Sequence, residues 1–283
     1  MAEPDFQDEL TSVAAALASA CAQGLDRLDA QLLLLHALEK SPHERAWLLA
    51  HDQQQLTRPQ IAAYVTSTRQ RLAGIPLAYI VGHQEFYGLS LRVDRRVLVP
   101  RADTETLVDW ALELLGKPAA ARVIDLGTGS GAIALALKSV LPQLAVSAVD
   151  RSADALAVAS ANAASLGLSV DFLQGSWLEP VTGEFDLILS NPPYVAPDDS
   201  HLAALHAEPL QALVAEEDGL ADLRQIIESA PDHLMAGGWL LLEHGYDQAD
   251  AVKALLSSRG YAQVGGRRDI AGIWRCSGGQ WMG

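Results

Sequence analysis

The sequence predicts an α/β fold: a mostly parallel seven-stranded sheet, preceded by a small all-α N-terminal domain and a β-hairpin linker. Three observations carry this. Residues 5–73 read as helix almost throughout and hold no glycine-rich loop. From residue 120 onward, seven short apolar runs alternate with helical runs, the pattern of parallel strands buried on both faces. One of these runs ends in a turn with three alternating glycines, and another ends abruptly in two prolines.

Taken in order, residues 1–76 form the helical domain. Leu10, Val13, Ala14, Leu17 and Ala18 recur at helical spacing, as do Leu28, Leu32, Leu35, His36 and Leu38. His36, on an apolar face, is expected to be a packed core histidine. Pro42 and Pro59 stand where helices can begin. A helical module without a catalytic cluster is expected to dock a partner, or to be purely structural. Residues 77–100 form the linker, with Ile80-Val81-Gly82 and Leu89 to Val93 read as short strands and Gly88 as their connector. A third segment follows over 101–283, entered by a helix from Thr104 to Leu115 with Asp103 as N-cap.

In that segment the expected strands are 122–126, 144–149, 169–173, 186–190, 239–243, 261–264 and 273–276. The first runs into Gly127-Thr128-Gly129-Ser130-Gly131 and then a helix from Ala132 to Val140. Glycines let a ligand approach the backbone closely, and the carboxyl end of such a strand is where open α/β sheets bind ligands. The second strand ends at Asp150, which can accept both ribose hydroxyls of a nucleoside, cap the helix from Ala153, or do both. After the third comes Trp177, placed to stack on an adenine or to fill the core. Together these residues outline an adenosine pocket. A pyrophosphate site more often shows Gly-x-Gly-x-x-Gly, so the spacing here favours a sulfonium cofactor over a dinucleotide. Asp125 suits the cationic end of such a cofactor, or is structural.

The fourth strand ends in Asn191-Pro192-Pro193-Tyr194. An amide or aromatic amine has a delocalised lone pair, and two acceptors that take its two N–H bonds can aim it. The side-chain oxygen of Asn191 and the carbonyl of Pro192 supply them. The two prolines stiffen the turn and remove competing donors, and the Tyr194 ring can cover a flat substrate group. The plainer account of these four residues is a strand-terminating turn.

Composition narrows the partners. The chain has 283 residues, 35 acidic against 20 basic, and a formal net charge of −15. That balance repels bare nucleic acid unless a basic patch overrides it. The densest cluster, Arg92, Arg95, Arg96 and Arg101, reads as surface charge. Between Ala196 and Leu223 stand seven acids and no Lys or Arg. Two cysteines, Cys21 and Cys276, have no metal-ligand spacing and fit a reducing compartment, and no metal is expected. The acidic start lacks the basic residues of a secretory signal, and the apolar stretch 132–149 carries Lys138 and Pro142 and does not read as a membrane span. A cytoplasmic monomer is expected.

Through Val123–Gly131, Asp150 and Phe185–Tyr194 the chain resembles class I S-adenosylmethionine-dependent methyltransferases, whose sheet is Rossmann-like. It is similar in particular to the protein-(glutamine-N5) methyltransferases of peptide-chain release factors. Gly82–Leu89, Val99–Glu105, Glu208-Pro209 and Gly237–Gly245 extend the match over nearly the whole chain. Ala102 departs from the proline of many members. The resemblance implies S-adenosyl-L-methionine as cofactor, held by Gly127, Thr128, Gly129, Ser130, Gly131, Asp150, Trp177 and Asn191. It implies a substrate glutamine held by Asn191, Pro192, Pro193 and Tyr194, within a Gly-Gly-Gln motif of a release factor, and catalytic roles for Asn191, Pro192 and Tyr194. A sibling branch modifies a large-subunit ribosomal protein. Other readings are an N6-adenine or N2-guanine methyltransferase, a nucleoside-binding sensor and an NAD enzyme. Gly278-Gly279-Gln280 repeats the substrate tripeptide, by coincidence or as a pseudosubstrate.

Overall fold

The computed structural model describes residues 11–116 and 120–283, apart from the side chains at 201, 203 and 204. The expected helical positions before residue 11, Leu10 among them, lie outside the described residues. The chain divides into two compact units, residues 1–82 and 83–283.

The first unit is helical. Helix α1 (Val13–Ala22) is capped by the Ser12 hydroxyl, α2 (Arg27–Ala37) by the Asp26 carboxylate, and α3 (Arg45–Ala50) is short. α4 (Arg58–Leu72) opens with a reciprocal capping box between Thr57 and Gln60 and with Pro59 in its first turn. Caps of this kind each stabilise a helix by about 1 kcal/mol. The core gathers Val13, Ala16, Leu33, Leu34, Leu35, Leu48 and Tyr64. His36 is exposed, against expectation. The run Leu32 to Leu35 is apolar all round, so spacing alone leaves the helix phase open, and contacts with α1, α3 and α4 choose Leu33, Leu34 and Leu35.

The expected strand at Ile80-Val81-Gly82 is instead helix: α5 spans Leu77–Val81. Pro76 holds φ at −54° at its start, and Gly82 ends it at φ +82°, donating to the Ala78 carbonyl. This bracket overrides the β preference of Ile and Val.

The second unit opens with the hairpin β1 (His83–Phe86) and β2 (Leu89–Arg92). Tyr87 and Gly88 both have positive φ, as a two-residue turn matched to strand twist requires. A 3-10 turn (Ala102–Thr104) precedes α6 (Glu105–Leu115). Thr104, not Asp103, therefore holds the N-cap position, and the Asp103 carboxylate pairs with Arg275 at 3.3 Å.

The sheet then builds from β3 (Arg122–Leu126), α7 (Ala132–Val140), β4 (Ala145–Asp150), α8 (Ala153–Leu166), β5 (Asp171–Gln174) and β6 (Phe185–Ser190). A single turn, α9 (Glu216–Gly219), leads into α10 (Ala221–Ser229), β7 (Leu234–Glu243), α11 (Ala249–Arg259), β8 (Ala262–Arg268) and β9 (Trp274–Gln280). Strand order is β5-β4-β3-β6-β7-β9-β8, parallel from β5 to β7, with β9 antiparallel to both neighbours. This is the mostly parallel seven-stranded sheet expected from the sequence. Strand alternation feeds two cores: Val123, Leu187, Leu189 and Leu241 pack with α6 and α7 on one face, and Ile124, Ile188, Leu240 and Leu242 with α10 and α11 on the other.

β9 runs past the expected end at Cys276 and takes in Gly278-Gly279-Gln280. Gly278 pairs with Leu241 on one side and Gly265 on the other, and the Gln280 side chain donates to the Gly237 carbonyl at 2.8 Å. A Cβ on Gly278 would stand 2.5 Å from Leu241 Cδ2. The tripeptide is strand, with glycines where neighbouring atoms leave no room for a side chain.

Candidate active site

The order reverses between β3 and β6: the chain passes from β3 outward through β4 and β5, then returns beside β3 as β6. Ligands bind beyond the carboxyl ends of strands at such a switch point. A cleft partly open to solvent lies there. Gly127, Gly129, Asp150, Trp177, Asn191 and Pro193 all line it.

The glycine loop is built by hydrogen bonds. The N–H groups of Gly127 and Thr128 donate to the Val149 carbonyl at 2.8 and 2.9 Å, tying the loop to the end of β4. The Gly129 N–H donates to Asp150 Oδ2 at 2.9 Å, and the Ser152 N–H to Asp150 Oδ1 at 2.9 Å. The side-chain cap of α8 is Ser152, so Asp150 is not the cap of that helix. Each carboxylate oxygen keeps a second acceptor site for a ligand hydroxyl. Gly127, Gly129 and Gly131 all have positive φ. A Cβ on Gly127 would lie 3.2 Å from the Trp177 ring, so indole packs directly on the loop backbone. The Asp222 carboxylate lies beside Trp177.

Thr128, Ser130 and Gly131 are buried and do not line the cleft. The Thr128 hydroxyl donates to Asp125 Oδ2 at 2.6 Å, and Asn162 donates to the Ser130 carbonyl at 2.9 Å. Asp125 is absent from the lining too: it alternates inward on β3, and burial pushes its carboxyl up to about 7, partly offset by Thr128. It braces the loop from beneath. Asn162 also accepts from the Arg92 N–H at 2.8 Å and donates to the Arg92 carbonyl, linking the loop to the hairpin.

In the Asn-Pro-Pro-Tyr turn, Asn191 and Pro193 face the cleft, Pro192 is buried, and the Tyr194 ring packs against the core that holds Ile188 and Leu242. The Tyr194 hydroxyl donates to Glu243 Oε1 at 3.3 Å, and burial raises its pKa. Asn191 Nδ2 donates to the Thr104 hydroxyl at 3.2 Å, which leaves Oδ1 as the amide atom to accept from a substrate. After Tyr194 the chain is pinned where Val195 bridges Val214. Gln248 donates to the Tyr194 carbonyl at 3.1 Å, and Gly219 approaches so closely that a Cβ there would fall 2.2 Å from that carbonyl oxygen.

The rim was not legible as such. Val99 N–H donates to Glu208 Oε2 at 3.1 Å, and Arg101 forms an ion pair with Glu208. Arg101 is thus structural rather than a free surface charge, and Glu208 is buried rather than part of an acidic surface. Both stand in stretches quoted for the family resemblance, as does Glu243, but nothing in their spacing shows them meeting. No group of residues that could hold a metal ion occurs among the described residues. No helix there is long and apolar enough to cross a membrane.

Comparison with known proteins agrees with this architecture. Residues 108–212 match the family model "Methyltransferase small domain", and residues 9–82 match "PrmC N-terminal domain". The release factor glutamine methyltransferase of Bordetella pertussis is 50% identical over 260 residues, covering 90% of this chain and 95% of that protein. Its namesake from Xylella fastidiosa strain Temecula1 is 45% identical over 272 residues, covering 93% and 98%. Among solved structures, a methyltransferase from Pyrococcus furiosus superposes with a TM-score of 0.55 at 21% identity over 76% of this chain and 98% of its own. At that identity it speaks for the fold alone.

Proposed function

The chain belongs to the release factor glutamine methyltransferases, and from that premise we propose how its own residues carry out methylation of a release-factor glutamine at the side-chain amide nitrogen. The single observation that carries the reading is that Asn191 and Pro193 line the same cleft as Gly127, Asp150 and Trp177. An amide held by the turn is thereby next to anything held by the loop.

S-adenosyl-L-methionine fits the donor set and, when bound, supplies an electrophilic methyl group. The glycine loop admits its backbone-level approach, Asp150 accepts the ribose hydroxyls, and Trp177 faces the base. Thr128, Ser130 and Gly131 shape the loop rather than touch the ligand. Asn191 Oδ1 and the Pro192 carbonyl take the two N–H bonds of the glutamine amide and aim its nitrogen. Pro193 walls the cleft, and Tyr194 holds the turn in place. Orientation in a confined site and hydrogen bonds that strengthen as the nitrogen turns positive are the main catalytic contributions.

The glutamine lies in a Gly-Gly-Gln motif, and the helical first unit docks the release factor. The enzyme acts in the cytoplasm as a monomer, with no direct nucleic-acid or membrane partner; the net charge of −15 suits a basic protein surface better than a phosphate backbone. The test is incubation of a purified release factor with enzyme and S-adenosyl-L-methionine, followed by peptide mass spectrometry. A single added methyl on the glutamine of that motif is expected. Methyl on a ribosomal protein or on RNA in parallel reactions, and none on the release factor, would overturn the reading.

A further inference from the structure

Glu243 ends β7 at the carboxyl edge of the sheet and is 1% exposed. Taking a carboxylate out of water costs several kcal/mol unless it is paired, and among the described residues Glu243 makes no ion pair. The nearby guanidinium of Arg275 is engaged by Asp269 at 3.1 Å and Asp103 at 3.3 Å. What Glu243 does hold is the Tyr194 hydroxyl, on Oε1. Its Oε2 is buried with no hydrogen-bond partner among the described residues, and the Thr104 hydroxyl is the neighbouring group that offsets part of the burial penalty. Thr104 in turn accepts from Asn191 Nδ2. A hydroxyl that accepts from Asn191 has its own proton left to donate, and the open carboxylate oxygen is the acceptor beside it.

We infer that Glu243 is a positioning residue for methyl transfer: one buried carboxylate orients both ends of the Asn-Pro-Pro-Tyr turn, Tyr194 directly and Asn191 through Thr104. The relay fixes which way the Asn191 amide faces. With Nδ2 turned to Thr104, Oδ1 is presented to the substrate, whereas the flipped amide would offer two donors to a nitrogen that has only donors to give. Burial keeps water from competing for the Thr104 hydroxyl. This rests on the reading that Asn191 accepts from the substrate amide.

The experiment compares Asn191→Ala, Glu243→Gln, Thr104→Val and Thr104→Ser in the full chain, measuring kcat and KM for a release factor and cofactor affinity by calorimetry. Assayed above about pH 7, where the Glu243 carboxyl is ionised, Glu243→Gln and Thr104→Val are expected to lower kcat by about 10- to 100-fold, the worth of a hydrogen bond to a charged group. Cofactor affinity and KM are expected to change little. Thr104→Ser restores what Thr104→Val loses, and the Glu243→Gln/Thr104→Val double variant is no slower than the worse single, because both break one relay. Unchanged kcat in Glu243→Gln, or losses that multiply in the double variant, would overturn the inference. Should Glu243→Gln fail to fold, equal kcat for Thr104→Val and Thr104→Ser overturns it alone. Wild-type rates in Asn191→Ala would instead sink the amide-gripping role itself.

Discussion

Asp150 Oδ2 accepts the Gly129 N–H at 2.9 Å, so the acid that ends β4 and the glycine loop that ends β3 form one hydrogen-bonded unit. Two backbone donors, Gly129 and Ser152, each take one of its oxygens. Asparagine has the same shape but only one acceptor oxygen, so Asp150→Asn turns an NH2 group toward one of these N–H groups. Calorimetry should show S-adenosyl-L-methionine binding weakened about 10- to 100-fold in Asp150→Asn, with the protein still folded. Unchanged affinity would mean the carboxylate serves the loop alone.

On the proposed reading, Asn191→Ala removes an acceptor for the substrate amide without touching Asp150 or Trp177. Cofactor Kd should stay within a few-fold of wild type, while the rate of methyl transfer drops by about 100-fold or more. Single-turnover transfer with labelled cofactor separates the two quantities.

Gly219→Ala reaches the turn from a distance in sequence. Gly219 has φ +81°, and a Cβ there would fall 2.2 Å from the Tyr194 carbonyl oxygen and 2.7 Å from Gln248 Nε2. The turn must shift or the residue must leave its conformation, at a cost of about 1–3 kcal/mol. The expected signature is a kcat loss of about tenfold or more with cofactor affinity retained, plus a lower Tm.

Asp125 and Glu243 have carboxyl groups that burial raises to about 7. The folded protein therefore binds these protons more tightly than the unfolded chain, whose carboxyls titrate near about 4. Their contribution is present in full below the unfolded value and is lost as pH rises through about 7. His244, with a pKa lowered by burial, acts in the opposite sense, so the comparison must be with a variant. Relative to Asp125→Asn, the wild type should lose stability between about pH 5.5 and 7.5, by an amount on the order of 1 kcal/mol, read from denaturant unfolding at each pH. A pH-independent difference would argue against a raised carboxyl.

Gly278→Ala should destabilise the protein by about 1–3 kcal/mol, since its Cβ would meet Leu241 Cδ2 at 2.5 Å and the Leu240 carbonyl at 2.6 Å. The same pairing keeps Gln280 in the sheet, so intact mass after incubation with cofactor alone should show no added methyl. A methylated Gln280 would mean that β9 leaves its place.

Much of the fold was legible because its signals are local. The strand-then-glycine pattern at Val123–Gly131 and the uninterrupted helix Ala153–Leu166 depend on neighbours in sequence, and both stand where expected. Where bracketing residues decide, pattern misled: Pro76 and Gly82 made helix of Ile80-Val81. The residues around the turn were legible only in part. Asn191 and Tyr194 announce themselves by the prolines between them, but Thr104 and Glu243, 139 positions apart, each reach the turn only in the folded chain. No spacing rule reaches across such a distance, and a buried acid at a strand end looks in sequence like any other.

β9 lies between β7 and β8 although it follows both in the chain. During synthesis β8 has no partner until residues 274–280 emerge, and β7 shows a bare edge in the meantime. Early closure of that edge by β8 would be a wrong pairing. Completion of this half of the sheet thus waits for the last strand, and a nascent chain stalled before Trp274 presents an unsatisfied strand edge to whatever chain lies nearest.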